Sequence, residues 1–159
     1  VDDSYVYVGT SVIADGYIQP AEGDGCLIVF DPSMGRSISC REVSGARSIT
    51  TMGCAGGKVF FWTDDHDGKT RCFIYETDRD ILRTFKHDLG NGRTHNRPMV
   101  TDGSGTLYFV HQNRIVKLDP LEESCEVLHT AASTPIIACR KSDLYFSQEN
   151  ELWRFSLKG

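Results

Sequence analysis

The residues best suited to chemistry fall in one short stretch, Arg93-Thr94-His95-Asn96-Arg97-Pro98. Two guanidinium forks match carboxylates or phosphates, and an imidazole beside them can carry a proton near neutral pH. With Tyr17 or His66 from neighbouring repeats, such a group suits lyase chemistry on uronate sugars. There a cation neutralises the carboxylate and a His or Tyr takes the α-proton. His95, Tyr17 and His66 are therefore the candidate catalytic residues, and Arg93, Asn96, Arg97, His111 and Arg47 the candidate ligand-binding ones. The competing reading has His95 and Asn96 satisfying backbone groups of a Gly-rich loop while Arg97 pairs with an acid of the next repeat. Asp64-Asp65-His66-Asp67-Gly68 is rich in carboxylates, but its spacing departs from calcium-loop and Asp-box patterns, so it reads as a solvated turn. No metal site and no cofactor is expected. A Gly-rich phosphate loop before a helix and a GxSxG elbow are both missing from the sequence.

Strands must position these groups, because no window keeps apolar residues at helical spacing for three turns. The chain repeats itself. At an offset of 85, Ser39-Cys40 falls on Ser124-Cys125, Cys54 on Cys139, and Val59-Phe60-Phe61 on Leu144-Tyr145-Phe146. At an offset of 88, Leu27-Ile28-Val29-Phe30-Asp31-Pro32 falls on Ile115-Val116-Lys117-Leu118-Asp119-Pro120. Apolar runs starting at Leu27, Phe73, Ile115 and Leu152 lie 46, 42 and 37 residues apart. A period near forty, of short β-branched and aromatic runs between Gly, Asp, Asn and Ser turns, predicts an all-β propeller of four-stranded blades.

Within a blade the strands are lettered a, innermost, to d, outermost. The pattern predicts a strands at 48–54, 98–102 and 135–139, and b strands at 5–10, 58–63, 106–111 and 143–148. The c strands are expected at 26–31, 70–77, 114–119 and 151–157, and the d strands at 37–43, 81–85 and 124–129. This divides the chain into a partial blade 1–45, blades 46–90 and 91–130, and a partial blade 131–159. The first lacks an a strand and the last a d strand. The chain therefore reads as a contiguous part, roughly half, of a six- to eight-bladed ring. The expected partner is the remainder of that ring, in the same polypeptide or in another chain.

Val6-Tyr7-Val8-Gly9-Thr10 followed by Leu27-Ile28-Val29-Phe30-Asp31-Pro32 resembles the blades of YVTN-type and quinoprotein-like propellers. The Trp-Asp pair of WD40 blades is missing, since Thr63 follows Trp62 and Arg154 follows Trp153. The resemblance implies a fold that hosts hydrolases, lyases, oxidoreductases and scaffolds alike, so function must come from a site. Long loops mark the face where the d-to-a and b-to-c connections gather, among them 11–25, 64–69 and 87–97, and this is the expected functional face.

The 159 residues carry 17 Lys+Arg against 22 Asp+Glu, a net charge of −5, which argues against nucleic-acid or anionic-membrane binding. No apolar run approaches a membrane span. Six cysteines suggest a disulfide framework, but the pairs Cys40/Cys54 and Cys125/Cys139 fall on outer and inner strands, too far apart to bridge. Buried free thiols are expected instead, leaning towards a reducing compartment. Val6/Val8, Val59/Phe61, Leu107/Phe109 and Leu144/Phe146 alternate and should form the inter-blade core. Two functional readings result: a module binding an acidic saccharide or a protein partner through the long-loop face, or part of a polysaccharide lyase or glycoside hydrolase. A purely structural scaffold segment is the third.

Overall fold

The computed structural model describes residues 4–12, 22–87, 89–90 and 99–157. Fourteen strands in these residues form four antiparallel sheets. The first sheet is β1 (Val6–Gly9), β2 (Cys26–Asp31) and β3 (Arg36–Glu42), in that order. The second is β4 (Ala46–Ala55), β5 (Lys58–Asp65), β6 (Thr70–Glu76) and β7 (Ile81–Thr84). The third is β8 (Val100–Thr101), β9 (Leu107–His111), β10 (Arg114–Asp119) and β11 (Ser124–Thr130), and the fourth is β12 (Ile137–Arg140), β13 (Asp143–Gln148) and β14 (Glu151–Ser156). Within every sheet each strand pairs with its neighbour in sequence. The Asp-Pro turns behave as their chemistry dictates. Asp31 Oδ1 accepts the N–H groups of Ser33 and Met34, and Asp119 Oδ1 those of Leu121 and Glu122.

The sheets stack in chain order. Tyr7, Leu27 and Val29 of the first meet Val59, Phe61, Phe73 and Tyr75 of the second. The second turns its other face, Phe60, Trp62, Ile74 and Phe85, onto Leu107, Phe109, Val116 and Leu118 of the third. Tyr108 and Ile115 on the far side of the third sheet close on Leu144 and Phe146 of the fourth. Both faces of the inner sheets are thus apolar, which is why 59–62 reads as an unbroken apolar run. Contacts between successive sheets concentrate at the first strands, β1 on β4, β4 on β8 and β8 on β12. Glycine permits the approach: a Cβ on Gly9 would lie 2.6 Å from Ile49 Cγ2, and one on Gly53 2.6 Å from Met99 Cβ.

One expectation about the core is corrected. Val59, Phe61, Leu107, Phe109, Leu144 and Phe146 are buried, but Val6 is half-buried and Val8 is 44% exposed, while Tyr7 between them is buried. Val6 and Val8 pair with Phe30 and Ile28 on the face of the first sheet turned away from the second. They hold the same face as Val59 and Phe61, but no described sheet precedes theirs to cover it. The cysteines depart too. All six are free, yet only Cys72 is buried; Cys26, Cys54, Cys125 and Cys139 are half-buried and Cys40 is exposed. The alternation explains it: Cys26 and Cys40 share the uncovered face with Val8.

An ion-paired cluster fastens the second sheet to the third. Glu123 accepts from Lys58 Nζ at 2.6 Å and from the Arg83 guanidinium at 2.5 and 2.9 Å, and Arg83 also reaches Glu76. The Arg83 guanidinium, helped by Lys58, holds the Glu123 carboxyl down at about 2 from an ordinary 4.5. A depressed carboxyl contributes stability above its unfolded value and loses it as pH falls through the folded one. The chain should therefore lose about 1–2 kcal/mol from this group between pH 4.5 and 2, after discounting for solvent screening. Glu123→Gln should flatten the profile of urea stability against pH in that window. An unchanged slope would dismiss the group as a contributor.

Candidate functional site

A cleft of about 650 Å³ opens between the second and third sheets. Strand alternation aims its residues. Phe60 and Trp62 point from β5 towards the third sheet, and His87 follows Phe85 by two residues just beyond β7, on the same side. Leu107, Phe109 and His111 point back from β9. Trp62 lies 4.4 Å from Phe109 between ring centroids and 5.9 Å from His87, and the His87 and His111 rings are 6.1 Å apart. Lys86, Thr84, Ser124, Cys72 and Cys125 complete the walls.

The electrostatics of the cleft are one-sided. Glu123 on its rim is neutralised by Lys58 and Arg83, and Arg71 is bound to Asp65 and to the Ser44 carbonyl. Lys86 is exposed and makes no ion pair among the described residues. His87 Nδ1 accepts the Leu89 N–H at 3.3 Å, so the neutral ring carries its proton on Nε2. Trp62 Nε1 is enclosed with no hydrogen-bond acceptor among the described residues, and the side chain is 1% exposed. The two thiols are inert: burial pushes Cys125 up to about 12 and Cys72 well above its usual value. The cleft therefore offers a cation, two imidazoles and an indole donor, a set that suits an anionic or acceptor-rich ligand. It holds no activated thiol nucleophile.

Among the described residues singled out from sequence, the structure brings only His111 into this cleft, where it is buried. His66 lines a smaller cavity of about 400 Å³ with Ser44, Asp65 and Lys69, at the junction of the first and second sheets. Its Nε2 sits 3.2 Å from Asp24 Oδ1 and 3.2 Å from the Gly23 carbonyl, both acceptors, so Nε2 bears the proton and links two loops. Arg71 lines both cavities. Arg47 lies on β4, half-buried; its carbonyl accepts the Val12 N–H and its enclosed Nε has no acceptor among the described residues. It lines neither cavity. Tyr17, Arg93, His95, Asn96 and Arg97 lie outside the described residues.

Sequence reasoning missed His87, Lys86 and the role of Trp62 in a wall. A signal existed. The alternation Phe85/His87 and Phe109/His111 carries each imidazole to the end of an apolar stripe that faces the other sheet. The two tryptophans differ: Trp62 is buried at the seam, whereas Trp153 is 48% exposed and stacks beside Phe146 at 6.5 Å.

No known sequence family matches the chain, and no curated relative does. Solved structures do resemble it. The extracellular domain of a hybrid two-component system from B. thetaiotaomicron aligns over 98% of this chain and 20% of its own, with a TM-score of 0.60 and 14% identity. A chain of a nidogen/laminin complex aligns over 83% of this one and 51% of its own, at TM-score 0.57 and 16% identity. This chain thus spans about a fifth to a half of the proteins it resembles, and at these identities what is shared is the all-β fold.

Proposed function

We propose that the chain is a β-propeller segment that binds an acidic ligand, an acidic saccharide first of all, in the cleft between its second and third sheets. The propeller reading is supported by the stacking of four antiparallel sheets in chain order, joined mainly at their first strands, as blades meet around an axis. The partner reading, more of the same ring, is supported by the uncovered apolar face of the first sheet, where Val8 and Ile38 are 44% and 43% exposed. The observation that carries the binding reading is the Lys86 cation beside His87 and His111, above an indole N–H without an acceptor. Binding would satisfy that donor and neutralise that charge.

A catalytic reading, a lyase or hydrolase, draws on the same two imidazoles, whose ring centroids lie 6.1 Å apart. One experiment separates the two. Uronate-containing and neutral oligosaccharides are titrated against the chain and against Lys86→Ala, following thermal midpoint and product size. Binding predicts that uronates raise the midpoint, neutral sugars do not, and the variant loses at least about tenfold in affinity. Depolymerisation would select the catalytic reading. No shift with any oligosaccharide would remove the saccharide proposal.

A further inference from the structure

Leu89 is where the third sheet reaches the connection that follows β7. Its side chain is buried in the core between the second and third sheets, and both of its backbone polar groups are engaged. The N–H donates to His87 Nδ1 at 3.3 Å, and the carbonyl accepts from Arg114 Nη2 at 2.5 Å. Arg114 opens β10 directly opposite His111 of β9. Alternation puts it on the same face as Val116, the face turned to the second sheet. Its Nη2 also lies 3.4 Å from Gln112 Oε1. Arg114 is not itself part of the cleft wall, whereas His87 is.

We propose that Arg114 is a positioning residue of the cleft: through Leu89 it holds His87 with Nδ1 as acceptor and the ring proton on Nε2. The imidazole then meets a ligand as a donor. Its use in binding rests on the acidic-ligand reading above; the tether itself does not. A neutral imidazole has one donor and one acceptor nitrogen, so engaging one as acceptor fixes the other as donor. Leu89 follows His87 by only two residues, and its N–H meets the ring in one local conformation of the connection. A charge-assisted bond to the Leu89 carbonyl, made from a strand of the other sheet, pins that conformation. Without it the Leu89 amide turns away and the ring can carry its proton on either nitrogen. A carboxylate oxygen in the cleft then faces an acceptor for part of the time. The planar guanidinium suits the task, since it loses less freedom per bond than a lysine ammonium.

The test compares the native chain with Arg114→Met, which keeps the side-chain length without its donors, and Arg114→Lys, which keeps one charged donor. Nitrogen NMR of the imidazole rings, without ligand and at a pH where they are neutral, reads the His87 tautomer. The native chain should carry the proton on Nε2 alone. Arg114→Met should show a mixture, with Leu89 amide exchange about tenfold faster. Arg114→Lys should fall between the two, and it decides the matter if Arg114→Met does not fold. A glucuronate-containing oligosaccharide then reads the consequence. Arg114→Met should bind it about five- to tenfold more weakly, but the same change in the His87→Ala background should alter affinity by less than about twofold. The proposal is overturned by a native His87 protonated on Nδ1, or by variants with the native tautomer and exchange. It is equally overturned if the affinity loss is undiminished in His87→Ala, which would make Arg114 a charge or packing residue acting on its own. A native chain that binds no uronate removes the saccharide reading, and the ligand-free tautomer still decides for or against the tether.

Discussion

Trp62→Ala lowers the stability of the chain by about 3–5 kcal/mol, the range for truncating a fully buried large aromatic. For a chain of this size that moves the thermal midpoint down by roughly 6–20 °C. The side chain sits at the seam of two sheets, packed on Phe109 and edge-on to Phe85. Its loss opens a hole that neither sheet can fill without shifting a strand. The matched control is Trp153→Ala on β14, whose ring is half in solvent and stacks only on Phe146 among the described rings. That substitution should cost about 1 kcal/mol or less. Thermal and urea denaturation followed by far-UV circular dichroism reads both. If the two variants cost the same, the seam is not where the chain keeps its stability.

Arg71→Ala has the second largest expected effect. Asp65 is 4% exposed, and its carboxylate takes a hydrogen bond from the Thr63 hydroxyl at 2.8 Å and an ion pair from Arg71 Nε. Arg71 also donates to the Ser44 carbonyl at 2.6 Å and lies over the Phe73 ring at 5.0 Å. Removing it strands a buried charge and unties the loop after β3 from the second sheet. Breaking such a pair costs 3–5 kcal/mol when fully buried; with Arg71 37% exposed, about 2–4 kcal/mol is expected. The double variant Arg71→Ala/Asp65→Ala should be less damaging than the sum of its singles by about 1–3 kcal/mol. Strict additivity in urea denaturation would mean that the two charges do not act as a pair.

The strands were legible because each is a short alternating run between turn residues. β2, β10 and β13 fall where the pattern places them, and most others move by one or two residues at their ends. β8 contracts to Val100–Thr101, since little of that segment pairs with β9. The bulges at Ala46/Ser48 and Ile49/Thr51 were not legible, because nothing in the residue types there announces an extra residue. The site was harder to read. Titratable types drew attention to loops, whereas the cleft is built from strand ends, where His87 and His111 are the last members of apolar stripes. The exposure of Val8 and Cys40 followed from a fact that composition does not contain: which sheet has a neighbour.

Each sheet leans chiefly on the sheets beside it in sequence, and the contacts joining them lie mostly at one strand apiece. Such a chain behaves as a one-dimensional array, whose stability is a sum of unit terms and nearest-neighbour couplings. A change at one seam is felt fully by the two units that share it and weakly by those beyond. The cleft beside Trp62 can therefore be reshaped without disturbing the thiol face of the first sheet. An array of this kind gives a lineage separate places to vary: packing at one junction at little cost to the next, and length by adding units.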